Sequence, residues 1–174
     1  NEARFLRAYY HFLLAQAWGN VPLRTAAVTT HDQVMIKNTP QYEALKWVAN
    51  EMEACIDLMP VELDNSPSRV TQTTVLGILA RVYLFMAGQS VEGVSNEDRI
   101  VYLTKAKGHA LAVIESKKHD LNPDYTEVFK NMIRDEYDTK YHESMWEVDF
   151  LGDRSSAENW SNGRIGDVIG LQSG

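Results

Sequence analysis

The residues best suited to chemistry lie near the end of the chain, in SAENWSNGR, where Asn159, Ser161, Asn162 and Arg164 surround Trp160 with hydrogen-bonding groups and no apolar bed. A flat ring rimmed by amides and a guanidinium suits a sugar, whose C–H face stacks on the ring while its hydroxyls bond to the rim. Two arrangements fit this pattern. One is a ligand platform built from Trp160 with Asn159, Asn162 and Arg164. The other is a loop tryptophan folded back over a local core, since tryptophan is seldom left wholly exposed.

Other chemistry finds little support. The five histidines, His11, His31, His109, His119 and His142, fall at no zinc-like spacing, and HESMWE lacks the second histidine of a zincin helix. LDNSPSR lacks the glycine and terminal glutamate of a calcium loop. No nucleophile elbow or phosphate-cradling glycine loop is present, and the carboxylates are scattered without a spacing that marks a glycosidase pair. No catalytic residue, metal site or cofactor is therefore expected. With 17 Lys plus Arg against 24 Asp plus Glu the net charge is -7, and no basic run could neutralise a phosphate backbone, which argues against nucleic acid as a partner. The apolar runs are too short to span a bilayer. A lone cysteine, Cys55, excludes an internal disulfide framework and reads as a small buried hydrophobe.

The elements that must carry any site are helical. In RFLRAYYHFLLAQAWGNVPL, Phe5, Tyr9, Phe12, Leu13 and Gln16 fall on one side at helical spacing, flanked by Leu6, Ala8 and Ala17, while Arg4, Arg7 and His11 form the polar stripe. So narrow a wet face predicts a helix packed on most sides. Gly19 can take positive φ and Pro22 blocks resumption, so the exit is well encoded. A second helix is predicted over Pro40–Met59, with Leu45, Val48, Ala49, Met52, Ile56 and Met59 on one face and Trp47, Ala54 and Leu58 on a smaller opposite one. Two-sided contact of this kind suits a stacked array, so Trp47 is assigned to packing.

A third helix runs from a Thr71 cap to Gly88, with Arg81 its single charge between Val75 and Ala87. That arginine must pair with a carboxylate or snorkel to the surface. The fourth, Asp98–Lys118, sets Leu103, Ala106, Ala110, Val113 and Ile114 on one face, and forms an antiparallel pair with the third. In SMWEVDF the alternation of Trp146, Val148 and Phe150 with Glu147 and Asp149 predicts a half-buried strand. The expected class is all-α, antiparallel helix pairs with minor strand and an irregular C-terminal loop. Residues 1–150 make the scaffold and 151–174 begin an irregular ligand-binding region. The missing initiator methionine, the uncapped first helix and the glycine-rich NGRIGDVIGLQSG suggest a piece of a longer polypeptide.

LGILA, with Ala106 and Ala110, resembles the small-residue positions of a tetratricopeptide unit. As a set, EARFLRAYYHFLLAQAWGNVPL, the helix ending IDLMP, the Arg-Val-Thr entry to TVLGILARVYLFMAG, KAKGHALAVIES, the Tyr125 to Phe129 element and ESMWEVDF resemble the SusD/RagB family of outer-membrane nutrient-binding lipoproteins. The resemblance covers about Glu2 to Phe150 in order and spacing. It implies a tetratricopeptide-like scaffold on a surface-exposed outer-membrane lipoprotein, its anchor outside this sequence. It also implies an oligosaccharide or other nutrient ligand, and a SusC-like TonB-dependent outer-membrane transporter as the partner to which glycans are delivered, with no reaction catalysed. The rival reading is a helical-repeat scaffold mediating protein–protein interaction, distinguished by whether a lipidated cysteine lies upstream.

Overall fold

Thr71 accepts from the Thr74 amide while the Thr74 hydroxyl accepts from the Thr71 amide, a reciprocal cap that starts the most apolar helix of the molecule. The computed structural model describes residues 1–62, 66–134 and 136–148. In chain order it holds α1 (Glu2–Trp18), β1 (Val21–Pro22), β2 (Asn38–Thr39), α2 (Gln41–Glu53), α3 (Gln72–Met86), α4 (Asn96–Ser116) and α5 (Tyr125–Arg134). The helices pack in sequence, α1 on α2, α2 on α3 and α3 on α4, so the all-α class and helix-pair array are as expected. The strand content is a two-residue antiparallel pairing of β1 with β2 beside the α1 exit, where Gly19 takes φ 72. The core joins Phe5 and Phe12 of α1, Leu45, Val48 and Met52 of α2, and Val75, Leu79, Val82 and Met86 of α3, all fully or almost fully buried.

Several expectations are corrected. The second helix stops at Glu53, and a 3-10 turn over Ile56–Leu58 carries the chain on to Pro60. The break sends Cys55 into the core and leaves Leu58 half exposed, so the proposed Trp47–Ala54–Leu58 face does not form. On α1, His11 is buried instead of lining a wet stripe with Arg4, and Tyr10, Leu14, Gln16, Ala17 and Trp18 are open to solvent. On α4, Leu103, Ala110 and Ile114 are exposed, and only Ala106 of the predicted face is buried. The helix is turned so that Tyr102 and His109, which lie outside the predicted face, meet α3 through stacked rings.

The predicted strand is an irregular strap without ladder pairing over residues 142–148. Thr74 Oγ1 donates to the Met145 carbonyl at 3.1 Å, and the Glu147 amide donates to the Pro67 carbonyl at 3.0 Å. Trp146 wedges edge-on against Phe5 and Tyr9, with ring centroids 5.8 and 5.1 Å away, while Val148 is exposed. Helix α5 is an element that the periodicity reading passed over. Asp124 starts it by accepting from the Thr126 amide and hydroxyl, and the Asp-x-x-Glu signal of Asp124 and Glu127 is visible in the sequence.

Candidate functional site

Trp160, Asn159, Asn162 and Arg164 lie outside the described residues. The described part holds a bracing clamp, a polar seam and an open cleft. The clamp joins α1 to α2. Arg4 donates to both carboxylate oxygens of Glu51, through Nη2 at 2.8 Å and Nε at 2.9 Å, and Arg7 adds a third bond at 2.7 Å. The Arg4 bonds hold the Glu51 carboxyl down to about 2, with Arg7 adding to them against the opposing effect of burial. The Arg7 guanidinium also lies 5.3 Å from the Trp47 ring centre, and the His11 ring meets that indole edge-on. His11 Nε2 accepts from the Arg24 amide at 3.2 Å while Nδ1 bonds the Arg7 carbonyl at 2.8 Å, which ties the loop after α1 to the helix. Trp47 is therefore a packing residue of the α1–α2 interface.

The seam joins α2, α3 and α4. The Tyr83 hydroxyl donates to Glu53 Oε1 at 2.6 Å, and Lys105 Nζ donates to the same oxygen at 2.9 Å. Burial pushes Glu53 up, but the Tyr83 and Lys105 bonds outweigh it and hold the carboxyl below its usual value. Burial, reinforced by Glu53, pushes the Tyr83 phenol well up, so it remains a donor. Tyr102 stacks on Tyr83 and shares a 2.7 Å hydrogen bond with Tyr42. Arg81, the isolated charge of α3, is exposed: it reaches Gln16 Oε1 at 3.4 Å and lies over Phe12 at 5.6 Å, the snorkelling arrangement.

The cleft, about 570 Å³, is lined by Val113, Ile114 and Lys117 from the end of α4, His119, Asp120 and Leu121, and Glu143 and Met145 of the strap. His119 spans its floor between Thr73 Oγ1 at 2.8 Å and the His142 carbonyl at 2.6 Å. Among the described residues no tryptophan, tyrosine or phenylalanine lines it. Sequence reasoning missed it because it assembles residues some twenty-five positions apart that share no periodicity. Among the described tryptophans Trp18, 73% exposed, is the most open to solvent, whereas Trp47 and Trp146 are partly buried. The described residues hold no group of three or more His, Cys, Asp or Glu side chains placed to bind a metal ion.

A stacked helical array with a cross-braced α1 and a strap across α3 defines a scaffold class: rigid helices that present loops. Comparison with known proteins makes the assignment specific. Residues 1–84 match a SusD-like family described as "Starch-binding associating with outer membrane". A SusD-like protein of Bacteroides ovatus is 28% identical over 129 residues, covering 74% of this chain and 23% of the relative. The crystal structure of a SusD homolog from Bacteroides thetaiotaomicron superposes with a TM-score of 0.65 at 26% identity, over 79% of this chain and 26% of that one. A further crystal structure, with xylogluco-oligosaccharide, shares the fold at a TM-score of 0.66 and 24% identity, over 86% of this chain and 28% of that one. The chain resembles SusD-like proteins, and the family match lies in its first 84 residues. It spans about a quarter of the length of the relatives it matches.

Proposed function

We propose that this chain is the helical scaffold portion of a cell-surface glycan-binding protein that delivers oligosaccharides to a SusC-like TonB-dependent outer-membrane transporter, and that it binds without catalysing a reaction. The observation that carries the reading is the family match over residues 1–84, the segment that builds α1, α2 and most of α3. Outer-membrane association in that family supports a surface lipoprotein, with its anchor outside the present sequence. Within this reading residues 1–150 form the scaffold and 151–174 begin the ligand-binding region, where Trp160 stacks on a sugar ring and Asn159, Asn162 and Arg164 bond its hydroxyls.

Two measurements test it. Purification of the whole protein from membranes in mild detergent should bring down a large barrel. Recovery as a species without membrane association and without such a partner counts against delivery. Calorimetric titration with a glycan panel should show binding that Trp160→Ala weakens by about 1–3 kcal/mol with the melting temperature nearly unchanged. If Trp160→Ala unfolds the protein instead, the indole plugs a core and is not a platform.

A further inference from the structure

Helix α4 is bound to the array differently from the others. Five residues of α1, five of α2 and seven of α3 are buried, whereas α4, the longest of the four at 21 residues, buries Ala106. Its packing on α3 is therefore reinforced by polar and aromatic groups. Arg99 ties its start to the carbonyls of Ala87, Gly88 and Val91 just after α3, and further along the helix such groups meet in the seam. There Tyr102, Lys105 and His109 of α4 meet Tyr42 and Glu53 of α2 and Tyr83 of α3. The His109 ring is stacked on Tyr83, its plane within 10° of parallel, and its Nε2 lies 4.0 Å from Glu53 Oε1. That oxygen already accepts from Tyr83 and Lys105.

We propose that the Glu53–Tyr83–Lys105–His109 cluster is an acid-sensitive latch: a proton on His109 sets a second cation beside Lys105 against one carboxylate, and α4 loosens from α2 and α3. The charge count is what makes the site respond. At neutral pH Lys105 and Glu53 balance. Protonation leaves a half-buried imidazolium, 18% exposed, competing for an oxygen with two donors in place. The titratable and charged groups bearing on it are Glu53 from α2, Tyr83 from α3 and Lys105 from its own helix, with Asp98 further along near the Tyr42 hydroxyl at 3.5 Å. Burial, with Lys105 adding to it and Glu53 opposing, pulls the His109 imidazole below its ordinary value, so the neutral ring is the form the closed seam prefers.

Hydrogen exchange on the full chain reads the latch directly. Between about pH 7.5 and about pH 5.5, after correction for intrinsic exchange rates, the amides of Tyr102–His109 should lose protection while those of α1 and α2 keep theirs. His109→Phe keeps a ring on Tyr83 but takes no proton, and should hold α4 protection constant. Lys105→Met removes the competing cation, so the imidazolium can take Glu53 and the acid loss should shrink. Nuclear magnetic resonance of the His109 ring proton should give a midpoint below 6.5, the ordinary imidazole value. The proposal is overturned if α4 protection is insensitive to pH, if His109→Phe loses it as the parent does, if Lys105→Met deepens the loss, or if the midpoint lies above 6.5.

Discussion

Glu51 shows how much one residue can organise. It is 17% exposed and receives two arginines spaced one helical turn apart on α1, so a single carboxylate braces the first two helices against each other. Its folded value of about 2 lies below the ordinary 4.5, so the stability it confers is complete above 4.5 and is lost as pH falls through that range toward 2. Glu51→Gln should lower the melting temperature at neutral pH and flatten its decline below pH 4.5, as read by thermal melts across an acid series. Trp47 belongs to the same interface. Between the Arg7 guanidinium and the His11 edge it is a wedge, so Trp47→Ala should cost about 2 kcal/mol of stability in denaturant unfolding and leave glycan binding intact in the folded fraction.

At the scale of elements the strap over residues 142–148 is the most informative piece. A β-carbon on Gly77 of α3 would stand 3.2 Å from Met145 Cε, so the glycine is where the strap crosses the helix. LGILA resembles the small-residue position of a stacked helical repeat, but in this chain the space at Gly77 admits the strap. Alanine there asks only the end of the methionine side chain to give way. Gly77→Leu should displace Met145, break the bond from Thr74 Oγ1 to its carbonyl, and cost about 1–3 kcal/mol. Limited proteolysis should then cut near residues 142–148 while α3 keeps its exchange protection. Cutting no faster than in the parent would show that the strap is held from elsewhere, chiefly by Trp146 against Phe5 and Tyr9.

At the scale of the whole molecule, three paired carboxylates among the described residues respond to acid with the same sign. The Arg69 bond holds Glu2 below the usual carboxylate value, the Arg4 bonds do the same for Glu51, and Tyr83 with Lys105 outweighs burial at Glu53. Each contributes stability above its unfolded value that is lost on acidification. His109 adds to this: its folded value is depressed, so the unfolded chain binds the proton more readily and stability falls as pH drops through the ordinary 6.5. The melting temperature should therefore fall from neutral pH in two stages, first through the histidine range and then below 4.5, and His109→Phe should remove only the first. A single transition confined to the carboxylate range would contradict the histidine assignment.

The amino-acid sequence by itself determined the first four helices, though not where the second one ends, because their signals are local: the Thr71 cap, the Gly19 exit and the 3.6-residue period of Leu45, Val48 and Met52. It carried the resemblance to SusD-like proteins too, since order and spacing along one chain are enough for that. Tertiary structure decided which face each helix buries. On α4 the periodicity of Leu103 and Ile114 pointed to one face, yet stacking of Tyr102 and His109 on Tyr83 and the Lys105–Glu53 bond turned another inward. Amphipathic residues such as tyrosine, histidine and lysine can bury a ring or a stem while satisfying a polar tip, and whether they do depends on a partner on another helix. The strap was decided in the same way. Trp146 alternates with charged residues as a strand would, but it pairs with no strand among the described residues, and the aromatic pair Phe5 and Tyr9 across the fold takes it instead. Pairing and stacking are long-range contacts, and a periodicity read along one segment holds no information about the segment opposite.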